Sequence, residues 1–230
     1  MHGRSWLLGY HGIQTLQAVG YAHAMGLREQ KKAARRKAIL DAGRHAMLEE
    51  GFERASVERI VAEVGIARGT FYLYFPDKES LFSTLLEELY APFVDALRAH
   101  ADALASASTT QQQQLLYLQM SLGLAQVLEN TKSTLPLHFQ HARAPGVSGH
   151  LCRAWLTQVE DTAITILEDA QARGLVRHHD CASVALAIVG AAERLLWAWL
   201  QGDPRLNAEQ AASELARLFF DGIRPRAVQS

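Results

Sequence analysis

Arg68, Thr70 and Tyr72 put a guanidinium and two hydroxyl groups into one short stretch, with Gly69 between the first two and Leu73 and Tyr74 directly behind. The set offers a fixed positive charge, several donors and little bulk, which suits the base edges and phosphates of a nucleic acid better than bond-breaking chemistry. An arginine can take a guanine edge through two N–H groups or neutralise a phosphate. Gly69 lets the backbone approach closely, and Leu73 can touch a thymine methyl or lie against sugar atoms. Ser56 and Lys78 flank the set.

Two amphipathic segments must hold these groups in place. Val57, Ile60, Val61 and Val64 fall at i, i+3, i+4 and i+7, one face of a helix. Ser56 precedes that face as a cap, and Glu58 suits the positive end of the helix. Gly65 can take the left-handed turn that ends it. A second helix is expected from about Ala67 to Phe75, with Phe71 and Phe75 turned back onto the first beside Ile66. Two helices set at an angle by a glycine turn form a helix-turn-helix, the arrangement that places its second helix in a DNA major groove.

The flanks are RKAILDAGRHAMLEEGF before this stretch and PDKESLFSTLLEEL after it. A helix closing on Glu50-Gly51-Phe52, the helix-turn-helix, the tripeptide Thr70-Phe71-Tyr72, Phe75, and Lys78 opening a long helix together closely resemble the TetR family of transcriptional repressors, over Arg36 to about Leu86. The resemblance implies an all-α fold, with a DNA-binding domain at residues 28–78 and a helical ligand-binding and dimerisation domain at 79–230. It also implies a homodimer on a pseudo-palindromic double-stranded operator, released by a small-molecule inducer that the sequence does not identify. The DNA contacts it implies come from Arg36, Ser56, Arg68, Gly69, Thr70, Tyr72, Leu73, Tyr74 and Lys78. In the family the fourth helix joins reading head to body, and an inducer tilts it. Two departures stand out: Ala67 replaces a frequent Ser or Thr cap, and Leu73-Tyr74 replaces a Tyr-His pair. Repression and activation both stay open, since the sign depends on where the operator lies.

The 230 residues carry a net charge of −1, unevenly spread. Residues 1–78 hold twelve Lys and Arg against eight Asp and Glu, whereas 79–230 hold eleven against sixteen. A basic end on an acidic body fits phosphate contact at one end only. Arg28, Lys31, Lys32, Arg35, Arg36 and Lys37 form the densest cluster, either a solvated helix start or an arm along phosphates. Two cysteines make no disulfide framework, so a cytoplasmic protein is expected. The longest apolar run, Val184–Leu200, is broken by Glu193 and Arg194 and is not expected to span a membrane. Residues 1–27 read as an extension, disordered or loosely helical, with translation expected to start at Met25.

Beyond Lys78 the chain alternates helical runs with polar, Gly and Pro breaks. Pro92 is expected to kink the fourth helix. Val184–Leu200 is apolar almost all round, and Leu215, Leu218 and Phe219 stripe the last helix. A second copy packing on Leu186, Val189, Gly190, Trp197, Leu215, Leu218 and Phe219 would cover both. His100, Gln119, His138, His141 and Trp155 are candidates to line an inducer pocket. No cofactor is expected, nor any catalytic residue: a Gly-rich phosphate loop, a G-x-S-x-G elbow and His-Glu-x-x-His are all missing. Two rival readings remain. His138 with His141, or His178-His179-Asp180-Cys181, would serve a helical metal-binding enzyme. Ala67 and Leu73 would fit an interaction module whose helix-turn-helix no longer binds DNA.

Overall fold

The computed structural model describes residues 7–107, 110–206 and 208–223, which are helices and turns with no strand among them. The helices are α1 (Leu7–Glu50), α2 (Val57–Val64), α3 (Arg68–Tyr72), α4 (Lys78–Ala105), α5 (Thr110–Thr131), α6 (Leu135–His141), α7 (Gly146–Ala172), α8 (Cys181–Leu200) and α9 (Ala208–Ile223). Residues 1–6 of the extension lie outside the described residues. From Leu7 onward it is not a separate loose segment but continuous with α1, which therefore starts well before Lys32. The reason is local: no proline occurs before Pro76, and Leu, Ala and Gln recur through the stretch.

α1, α2, α3 and the start of α4 enclose one end of a core that continues through Leu135, Leu137 and Cys152 into α6 and α7. Ile39, Ala42, Ala46 and Met47 meet Ile60, Val61, Phe71, Phe75, Leu81, Phe82 and Leu85, all buried. Phe52 and Phe82 pack with ring centroids 5.0 Å apart. Gly43 is required where α1 crosses α4, because a Cβ there would stand 2.5 Å from Leu81 Cδ2. Outside the core, Arg59 of α2 pairs with Glu49 and Glu50 of α1. α3 proper ends at Tyr72, and one further α-type bond, Phe75 N to Phe71 O at 3.0 Å, carries the turn to the expected Phe75. Leu73 N donates to Thr70 O at 3.3 Å and Tyr74 N to Phe71 O at 2.9 Å, the tighter i→i+3 bonding that closes a helix. Pro76 then keeps Phe75 from helical backbone angles.

α4 is capped by Asp77, whose carboxylate accepts from Ser80 N at 2.6 Å. It runs through Pro92 without ending and buries Leu89, Tyr90 and Val94. In the body it packs on α5 and α7, and α8 lies against α7 and α9. By length and composition α8 is a helix that could cross a membrane. Its central carboxylate is nevertheless held within this chain, and Cys181, Ala185 and Ala198 pack inward. The rest of α8 is incompletely covered: Leu186 is 52 % exposed, Gly190 and Trp197 stand on the same side, and Leu218 of neighbouring α9 is 70 % exposed.

Candidate nucleic-acid interface

The helix-turn-helix forms as its residues dictate. Ser56 Oγ accepts from Arg59 N at 3.2 Å and caps α2. Gly65 takes φ 69°, and its N–H and that of Ile66 return to Ala62 O and Val61 O. This turn delivers α3 with Phe71 fully buried and Phe75 nearly so. The opposite side of α3 is open: Arg68, Gly69 and Tyr72 are exposed, Leu73 is 80 % exposed, and Thr70 and Tyr74 are half-buried. Nothing lies within 4 Å of a Cβ built on Gly69, so its backbone is approachable from outside. Ala67 makes no side-chain cap.

Arg68 is not loose on this surface. Its Nη1 sits 2.5 Å from Glu58 Oε1 of α2, and its Nη2 and Nε lie 3.2 and 3.4 Å from the Tyr72 hydroxyl. The Tyr72 contact first, and Glu58 second, push the guanidinium pKa above its ordinary value. Arg36 is exposed on α1, with its guanidinium 5.1 Å from the Phe75 ring centroid and 4.0 Å from Glu88. Lys78 departs from expectation. Its ammonium is turned onto the loop after α1, donating to Phe52 O at 2.6 Å and Glu53 O at 3.2 Å, above the Phe52 ring. It braces the head from within, because the start of α4 abuts carbonyls that end α1.

The residues suggested for an inducer pocket are not gathered into one. His138 and Trp155 do come together around Tyr90. The Tyr90 hydroxyl is 2.5 Å from His138 Nδ1, His138 Nε2 is 2.6 Å from Glu193 Oε1, and Trp155 stacks on Tyr90 at 6.0 Å. A neutral imidazole satisfies both bonds, accepting from Tyr90 and donating to Glu193. Arg143 holds the other Glu193 oxygen at 3.0 Å. Burial raises the Tyr90 pKa and pushes the adjacent Cys152 thiol up to about 12. Gln119 is exposed on α5 and belongs to no such cluster. His141 faces the head instead, edge-on to Phe82 at 5.3 Å, with Nε2 buried and unpartnered. His100 lies half-buried farther along α4. A groove of about 340 Å³ between α6 and α8 is lined by Phe139, Arg143, Gly190, Glu193, Arg194 and Trp197.

Among the described residues no three His, Cys, Asp or Glu side chains converge as a metal site. His138 and His141 point to different neighbours. His179 Nδ1 is taken up by Arg177 O at 2.6 Å. Sequence reasoning missed Glu58 and Tyr90 as partners, and it treated Glu193 only as an interruption. A lone carboxylate inside an otherwise apolar helix was the available signal for the last.

Comparison with known proteins agrees with this geometry. Residues 39–85 match the family described as bacterial regulatory proteins, tetR family. An HTH-type transcriptional repressor of Mycobacterium tuberculosis is 40% identical over 60 residues, 26% of this chain and 32% of that protein. The chain spans about a third of the length of the first two curated relatives it matches. The fatty acid metabolism regulator protein of Bacillus subtilis aligns over 191 residues at 22% identity, covering 80% of this chain and 93% of its own. SmeT of Stenotrophomonas maltophilia, solved with triclosan, superposes with a TM-score of 0.67 at 20% identity over 86% of this chain and 95% of that one, a likeness of fold.

Proposed function

We propose that the chain, whose residues 39–85 match the tetR family of bacterial regulatory proteins, is a ligand-released repressor that binds a pseudo-palindromic operator as a homodimer in the cytoplasm. On this reading it acts by binding DNA, in keeping with the family matched over residues 39–85. The observation that carries the finer reading is the division of α3, with Phe71 closed inside and Arg68, Gly69, Tyr72 and Leu73 presented outward. Supporting contacts would come from Ser56, Arg36, Thr70 and Tyr74. Lys78 would add its third N–H donor, two being engaged with carbonyls.

The uncovered side of α8 and α9 supports the dimer. Leu186, Gly190, Trp197 and Leu218 stand in water, beside half-buried Val189, Leu215 and Phe219. A helix this apolar gains by association. Two such faces related by a two-fold axis would set two copies of α3 on one side of the molecule, spaced for half-sites about one helical turn or more apart. An inducer would act on α4, where Tyr90, Trp155 and His138 meet, and so change that spacing.

The test is selection from a random pool of duplexes by the purified chain, with sequencing of the retained DNA in the presence and absence of cell metabolites. An inverted repeat should emerge, and one metabolite fraction should release it. Retention without enrichment of any sequence would sink the regulator reading.

A further inference from the structure

We infer that Glu58 is a specificity-determining positioning residue, which holds the Arg68 guanidinium by one corner so that it serves a base edge and not a phosphate. The inference rests on the DNA-reading role of α3 proposed above. Glu58 sits in the first turn of α2, two residues after the Ser56 cap. A carboxylate there repels phosphates, so it weakens binding to any sequence alike. Nor does it hold the fold together. The side chains of Arg68 and Glu58 are 61% and 59% exposed, and a pair so open to water adds little stability.

What the pair does is visible in how the guanidinium is used. Nη1 is bound to a carboxylate at 2.5 Å, a charge-assisted contact. The Nε and Nη2 edge faces only the neutral Tyr72 hydroxyl, at 3.4 and 3.2 Å, long for such bonds. The two attachments differ in kind, one to a charge and one to a neutral hydroxyl, and the second occupies an edge that can pair bidentately. Facing guanine, that edge exchanges the Tyr72 oxygen for O6 and N7 while Glu58 keeps its corner. Facing a base without two acceptors, the edge stays on Tyr72. Throughout, Glu58 offsets the charge that would otherwise draw Arg68 to the nearest phosphate. Discrimination is a difference of affinities, and lowering the affinity for wrong sites raises it.

The test compares the wild-type chain, Glu58→Gln, Arg68→Ala and the double variant on the selected operator and on random duplex, across a salt series. Melting temperatures confirm that all four are folded. Glu58→Gln should raise affinity for random duplex about threefold or more and steepen the slope of log affinity against log salt by about one, since one more cation reaches a phosphate. The ratio of operator to random affinity should fall by about the same factor, threefold. In the Arg68→Ala background the same change should leave that ratio alone. An equal effect in both backgrounds would reduce Glu58 to simple repulsion and overturn the positioning role, as would an unchanged ratio in Glu58→Gln. A wild-type chain that prefers no duplex over another overturns the regulator reading and this one together. Preference in the wild type with an inert Glu58→Gln overturns this one alone.

Discussion

In the reading head, Ile39, Met47, Ile60, Phe71 and Phe82 are closed off from solvent entirely, and the ion pairs of Arg59 with Glu49 and Glu50 lie outside them. The body is arranged the other way about. Tyr90, His138 and Glu193 carry ionisable groups into its interior, while Leu186, Trp197 and Leu218 stand in water. One chain suffices to complete the head. The body has apolar surface left to cover, and its interior holds together through directional bonds that lose their value if one partner shifts. A rigid probe on an adjustable support is the physical content of that contrast.

The most severe way to probe it is Phe71→Ala. Emptying a closed site in a small core should cost about 3–5 kcal/mol in urea unfolding and abolish duplex retention. A cost under about 1 kcal/mol would mean that the head is not self-contained. Next comes the body's outer face. Leu186→Glu with Leu218→Glu should weaken self-association about thirtyfold or more in sedimentation, with helical circular dichroism unchanged. If the chain sediments as a single copy before and after, something other than a second copy covers that face.

The body's interior is tested by Glu193→Ala. It leaves the buried His138 Nε2–H and the Arg143 guanidinium without their acceptor, and about 1–3 kcal/mol of stability should be lost. Acidification gives a subtler distinction. Burial lowers the His100 pKa to about 4 and pushes His138 and His141 below the ordinary 6.5, in His138 against the upward pull of Glu193. The unfolded chain therefore takes up protons first, so stability should fall as pH drops through 6.5 and go on falling toward 4. In the head, Glu49 and Asp77 have lowered pKa values, from 4.5 and 3.8, and their contributions are lost only as pH falls below those values. Hydrogen exchange at about pH 7.5 and about pH 5 should show amides around His100 and His138, and at the seam where His141 meets Phe82, losing protection before those of α2 and α3. Simultaneous loss would erase the distinction. The smallest change is Asp77→Ala, which removes the α4 cap and should lower the unfolding free energy by about 1 kcal/mol.

The head was legible because its determinants are local. The 57-60-61-64 stripe, the Ser56 cap, the left-handed Gly65 and the inward pair Phe71 and Phe75 all act within a few residues of one another. The Arg68–Glu58 pair was not legible, although its members are only ten residues apart, because it depends on the angle at which α3 leaves α2. The engagement of Lys78 was not legible for a similar reason: its character suits a phosphate, and the carbonyls of Phe52 and Glu53 that two of its donors meet belong to a packed neighbour. In the body, Tyr90 and Glu193 meet His138 across 48 and 55 residues of chain. Helical periodicity says which residues share a face, not which helix that face meets. Gln119, given only a helix to sit on, proves to be exposed on α5.

At Gly43 the first and fourth helices cross with no clearance, since even one methyl group would collide with Leu81. Such a crossing behaves as a toothed joint. A turn of α4 should therefore be passed to the long α1, and through their shared core to the short helices α2 and α3.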